Sequence, residues 1–291
     1  MRKKLSDAQQ LALLKAFTPE MKECLLEQAK NGWVCLRAQK KLCQLIGGMD
    51  VLRVQAENGE LSAYVQMELF NLDGGSEMLM FQAKRGALLQ KAQRKVSRFP
   101  NASEFLLALA KKGQLKIQEE AFSFPNADEI FLEQSKRGFI IGSIQEKVIE
   151  YGFSDAEEIL LQLARKGMVY AQDMVFSLPK ADEIILEQAK NGHIYDDALI
   201  KAFDLPSANE IILTLAKKEY LCPRAQMKVF ELPGADEILL AQAKYGWLEN
   251  DVQMKALDLP NAKEIAFALL KVGELCKAAQ KKAVELGYFT A

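Results

Sequence analysis

A chain of 291 residues with 49% apolar and 26% charged side chains has the means to bury a large core, and 38 basic against 39 acidic residues leave a net charge of −1. That balance excludes a chain-wide basic field that would collect nucleic acid or anionic lipid. No apolar stretch approaches the roughly 18 residues of a membrane span, and a single histidine with five cysteines and no CxxC pair excludes the usual zinc sites.

The first predicted element is a short helix in residues 1–20. Its start is basic, but Asp7, Gln9, Gln10 and Lys15 interrupt any apolar run of the signal-peptide kind, so a cytosolic location is expected. Within it Ala12–Phe17 reads ALLKAF, matching ALIKAF at Ala198–Phe203, so residues 1–20 are read as a half-repeat capping helix. From Met21 onward the chain copies itself. Ten units begin at Met21, Gly48, Gly75, Ala102, Ala127, Ala156, Ala181, Ala208, Ala235 and Ala262, in steps of 27, 27, 27, 25, 29, 25, 27, 27 and 27 residues. Fixed-period self-similarity marks a stacked-repeat architecture, and residues 21–291 are expected to form one continuous domain of ten helical hairpins.

Each unit opens with LPNADEI or a variant. Proline ends the preceding helix, a residue such as Asn101, Asn126, Asp155, Ser207 or Asn261 stands at the N-cap, and an acid follows three residues later in all ten units. This resembles a capping box, in which the acid returns a hydrogen bond to the cap and favours the positive end of the helix dipole. Apolar residues such as Ile184, Ile185, Leu186 and Ala189 then predict a first helix, A, buried on more than one side. It closes on a basic residue and a glycine, as in Lys190 and Gly192 or Lys244 and Gly246, which predicts a left-handed C-terminal cap. Glu219 is the exception in the glycine column.

A second helix, B, of about ten residues follows with the pattern AQxKhhxLP, h being apolar, and one core-facing stripe. Its glutamine column, running from Gln39 to Gln280 and broken only by Leu199, is read as satisfying backbone groups of the turns. Two such helices cannot bury their apolar faces alone, and no period-two alternation competes. The expected fold is all-α, an α-solenoid of about ten helix-turn-helix repeats and about 21 short helices.

LPNADEI, QAKNG and AQxKxF together resemble the HEAT, TPR and Sel1-like superclass of α-helical tandem repeats, with a shorter period, and are similar to short repeats in uncharacterised bacterial proteins. The resemblance spans nearly the whole chain. It implies a non-enzymatic scaffold that binds protein or peptide along an extended curved surface, and it carries over no active-site residue and no cofactor.

Columns that vary between repeats are free to hold specificity. The most variable lies just after the glycine and contains Trp33, Phe139, Met168, His193, Tyr220 and Trp247; two residues on stand Tyr170 and Tyr195. These eight are the candidate partner-binding residues, because aromatic and methionine side chains on an exposed edge are common anchors. The competing reading is that the rings fold over the turns and seal the stack; their exposure separates the two. His193, with Asp196 and Asp197 nearby, has the makings of a general base, but no nucleophile or pocket accompanies it. Two lysine columns, one closing helix A from Lys30 to Lys271 and one in helix B from Lys41 to Lys282, support an alternative reading as a polyanion or single-stranded nucleic-acid binder. A solenoid enzyme is the remote third. Cys35, Cys222 and Cys276 share one column, Cys24 and Cys43 replace core aliphatics, and all five are read as packed thiols.

Overall fold

The computed structural model describes residues 3–289; residues 1, 2, 290 and 291, at the ends of the expected cap and of the tenth repeat, lie outside the described residues. The described residues form helices and connections with no strand. The chain divides into two compact units, Met1–Ile140 and Ile141–Ala291.

The N-terminal unit contains α1 (Asp7–Ala16), α2 (Pro19–Lys30), α3 (Leu36–Leu42), α4 (Gly48–Glu57), α5 (Ala63–Glu68), α6 (Gly75–Arg85), α7 (Gln90–Val96), α8 (Ala102–Ala110), α9 (Gln118–Ala121) and α10 (Ala127–Arg137). The A helices α2, α4, α6, α8 and α10 each pack on the next, and α1 packs on α3 as α3 does on α5. The C-terminal unit contains α11 (Gly142–Glu150), α12 (Ala156–Ala164), α13 (Gln172–Val175), α14 (Ala181–Asn191), α15 (Asp196–Ala202), α16 (Ala208–Ala216), α17 (Pro223–Lys228), α18 (Ala235–Ala243), α19 (Asn250–Ala256), α20 (Ala262–Val272) and α21 (Lys277–Glu285). Here α12, α14, α16, α18 and α20 pack in sequence, and so do α11, α13, α15 and α17. Helix B is shorter than its pattern predicts: α9 and α13 have four residues each, and α5 and α17 run into a 3₁₀ turn.

Among the described residues every buried polar side chain is a glutamine except Ser135, and no charged side chain is buried. The glutamines form a ladder of latches. Gln39 donates to its own Val34 carbonyl (3.0 Å) and to the Glu60 carbonyl of the next turn (3.0 Å), and accepts from the Ser62 amide (2.8 Å). Gln66, Gln93, Gln226 and Gln253 repeat this set on the turns that follow them. A primary amide offers two donors and an acceptor, which suits a C=O and an N–H spaced along one turn. Gln10 of α1 serves the turn at Trp33 and Cys35 in the same way, so the hydrogen-bonding register of α1 is set by Gln10, three residues before the Leu13 that the ALLKAF match aligns with Leu199.

A second glutamine column, on the A helices, has no counterpart in the sequence reading. Gln134 accepts from Leu115 N and donates to Phe139 O, Gln188 does the same with Val169 N and His193 O, and Gln242 accepts from Leu221 N while donating to Ala216 O and Glu219 O. Buried amides must find such partners; here Gln134 and Gln188 join their own turn to the preceding one, and Gln242 anchors its helix to the preceding turn.

Three local expectations are corrected. Asn101, Asn126, Asp155, Ser207 and Asn261 make no side-chain cap bond. Each instead occupies the third position of a type I turn, near φ −100° and ψ 27° at Asn101, with the first helical amide bonded to the carbonyl three residues earlier, as Ala102 N to Phe99 O. The amide oxygens of Asn126 and Asn261 are buried without a partner. The acids spread outward: Glu77 pairs with Arg53, Glu210 with Lys190 and Glu237 with Lys217, all in the preceding repeat. Finally, Gly192 and Gly138 are extended, at φ −147° and −122°, whereas Gly246 at φ 73° and most others have the expected left-handed cap. The cause is the short repeats beginning at Ala102 and Ala156. They draw successive turns together until a Cβ on Gly138 would lie 2.7 Å from the Gly113 Cα, and one on Gly192 would lie 2.6 Å from the Gly167 Cα. Cys24 and Cys43 are only partly buried.

Candidate functional site

The turns carry the expected aromatic residues on their outer side because the buried aliphatic between them, such as Ile194 or Leu248, points the alternate positions outward. In the C-terminal unit Tyr170 and Tyr195 are each 43% exposed and Tyr220 46%. Their backbones are indexed by the latches: Tyr170 N is bonded to Gln145 and Tyr195 N to Gln172. Met168 and Trp247 are partly buried. Trp247 stacks on Tyr245 at 4.5 Å between ring centroids, and His193 meets Tyr195 edge-on at 5.7 Å. In the N-terminal unit, Phe139 is exposed and Trp33 partly buried. These rings are neither sealed into the stack nor fully free.

Two polar contacts fix this edge. His193 Nδ1 lies 2.6 Å from Glu219, the residue that replaces glycine in its column. The Tyr220 hydroxyl donates to Glu249 at 2.7 Å, and desolvation together with that carboxylate pushes its pKa up to about 12. Leu199, buried in α15, brings no amide to the Tyr220 turn, which is held by Gln242 from the other side.

Five lysines of helix B, Lys95, Lys201, Lys228, Lys255 and Lys282, have partners in the preceding repeat. Lys228 sits 5.3 Å from the Phe203 ring centroid and 3.3 Å from Asp204; Lys282 bonds Asp258 at 2.8 Å and the Met254 carbonyl at 3.0 Å; Lys95 and Lys255 lie over Phe70 and Phe230. These are cation–π and ion-pair contacts between repeats.

The exposed face of the A helices was not singled out by sequence. In the N-terminal unit a groove of about 520 Å³ runs over α6, α8 and α10, with Met80, Leu107 and Ala108 in its floor and Lys84, Lys111, Lys112 and Arg137 facing Glu104 and Glu133 around it. In the C-terminal unit a groove of about 670 Å³ lies over α18 and α20, floored by Leu240, Phe267 and Ala268 and bordered by Lys244, Lys263, Lys271 and Glu264. The floor residues Met80, Leu107, Leu240 and Phe267 share one column, five after the repeat start, which also holds Leu186 and is apolar in nine of ten repeats, Arg53 being the exception. The signal was present as an apolar column one position wider than a core stripe requires.

No protein-family model, curated protein or solved structure matches the chain. Among the described residues no group of three His, Cys, Asp or Glu side chains is arranged to hold a metal ion, and no helix is long and apolar enough to cross a membrane.

Proposed function

We propose that the chain is an α-solenoid scaffold of short helical-hairpin repeats that binds a protein or peptide partner and is not an enzyme. The observation that carries this reading is the set of tyrosines, Tyr170, Tyr195 and Tyr220, half-exposed from three consecutive turns of one unit. Tyrosine gives large contact area at low entropic cost, and Tyr170 and Tyr195, on latched backbones, are pre-organised for a partner. Trp247, braced by Tyr245, extends the same edge. Phe139 and Trp33 belong to the same columns in the other unit. The polyanion reading has less support, because the helix B lysines are engaged with neighbouring rings and carboxylates.

The test is selection of peptides from a random display library on the intact protein, followed by titration against Tyr195→Ala and Trp247→Ala. Truncating an anchor of this kind costs about 2 kcal/mol or more, so a selected peptide is expected to lose at least about tenfold in affinity with helicity unchanged. Peptides that bind both variants as tightly as the parent place the site away from the turn edge.

A further inference from the structure

We infer that the exposed face of the A helices is a second interaction surface, separate from the turn edges, and that it takes an extended acidic peptide with an apolar side chain at every third residue. The inference rests on the reading of the chain as a peptide-binding scaffold, but on different residues. Its first support is recurrence. The two compact units each carry the same groove, built from the same repeat columns: an apolar floor and a border in which lysine or arginine outnumbers glutamate, four to two in one and three to one in the other. Phe267 in that floor is 46% exposed. Most of the column is only partly covered, from buried Leu161 to exposed Phe267, and apolar strips left partly open and rimmed by charge are the usual mark of an interaction site.

The border selects the sign of the ligand. Where the closing lysine of one A helix meets the acid of the next, the contact is loose: Lys190 to Glu210 and Lys217 to Glu237 are both 3.7 Å, with exposed partners. Such surface pairs are worth about 0–1 kcal/mol, so a ligand carboxylate can take the lysine at little cost. Lys112, Arg137 and Lys263 add cations beyond those pairing columns. Polyphosphate is less well matched, since Glu104, Glu133 and Glu264 stand in the same walls and would repel it.

Spacing selects the ligand's conformation. Packed helices lie about 8–10 Å apart. A polyproline II chain rises about 3.1 Å per residue with three residues per turn, so every third side chain returns to the same face about 9 Å further on. Apolar side chains at that interval drop between successive A helices, and the acids between them reach the lysine border.

The probe is a fluorescein-labelled peptide of five Leu-Glu-Glu triplets, titrated by anisotropy against the full chain, with a scrambled peptide of the same composition as control. Lys84→Glu with Lys111→Glu removes the first groove and Lys244→Glu with Lys271→Glu the second; all four positions are exposed. The combined variant is expected to lose at least about tenfold in affinity for the probe and to gain affinity for a Leu-Lys-Lys counterpart, while the matching Lys→Gln set gives an intermediate loss. Tyr195→Ala with Trp247→Ala is expected to leave probe binding unchanged. The inference is overturned if the parent protein does not bind the probe, if the scrambled peptide or single-stranded poly-dT binds equally well, or if the loss follows the turn-edge substitutions. Because each pair of variants touches one surface, loss of one result leaves the other standing.

Discussion

Gln226 offers the most direct measure of what joins one repeat to the next. Its fully buried side chain donates to Leu221 O at 2.8 Å and to Trp247 O at 2.6 Å, and accepts from Glu249 N at 3.0 Å. Gln226→Leu keeps nearly the same volume, so little cavity is created, but it removes the partner of the buried Leu221 carbonyl and of the part-buried Trp247 carbonyl and Glu249 amide. With two of the three groups only part-buried, their loss costs about 1 kcal/mol each and that of the buried carbonyl about 2, about 4 kcal/mol together, of which the added apolar burial returns about 1–2 kcal/mol. A net loss of about 2–3 kcal/mol is expected. Repeat arrays need not unfold in one step, so urea unfolding is followed both by helical circular dichroism and by tryptophan fluorescence in a Trp33→Phe background, where Trp247 is the remaining tryptophan and reports on its own turn. Gln280→Leu is the control, because Gln280 stands in the same column but is exposed; its midpoint is expected to stay within about 0.5 kcal/mol of the parent, the usual range at surface sites. Equal destabilisation by the two substitutions, or none by either, refutes the latch as the element that ties successive turns.

Two further outcomes follow from the same geometry. Gly192→Ala has an allowed backbone conformation, yet its Cβ would stand 2.6 Å from Gly167 Cα and 2.7 Å from the Gln188 amide nitrogen. A loss of about 1–3 kcal/mol in the unfolding midpoint is expected from overpacking, and an unchanged midpoint is inconsistent with the close approach of the two turns. Ultraviolet titration of the seven tyrosines is expected to show Tyr220 ionising near pH 12. Since its folded pKa lies above the ordinary value of 10.0, the bond to Glu249 contributes fully below about pH 10 and is lost as pH rises through about 12. Glu249→Gln removes the adjacent charge and is expected to bring that late step down; a titration identical in the variant rules out Glu249 as a cause.

The repeat period, the alternation of two short helices and the turns between them were legible from sequence alone, because propensity, proline and glycine punctuation and apolar spacing all act over a few neighbouring residues. The structural role of the helix B glutamines was legible for the same reason: an amide that recurs at one position of every repeat meets the same local backbone each time. The candidate residues were only partly legible. Tyr170, Tyr195 and Tyr220 stand out on the turns as the variable columns suggest, but Trp247 is half covered by Tyr245, a residue the column comparison passed over.

What tertiary structure alone decided is where each group finds its partner some 20 to 29 residues away. Ser207 sits at an N-cap, yet its hydroxyl donates to Asp182 of the preceding repeat and caps no amide of its own helix, a contact that depends on how two repeats dock. Gly192 carries the letter of a left-handed cap and adopts an extended conformation because a shortened neighbour presses Gly167 against it. Met80 and Leu107 read as core residues in a wide apolar stripe, yet they floor an open groove. Hydrophobic patterning states which side chains prefer burial, and only the packing of one helix against the next determines how many of them are covered.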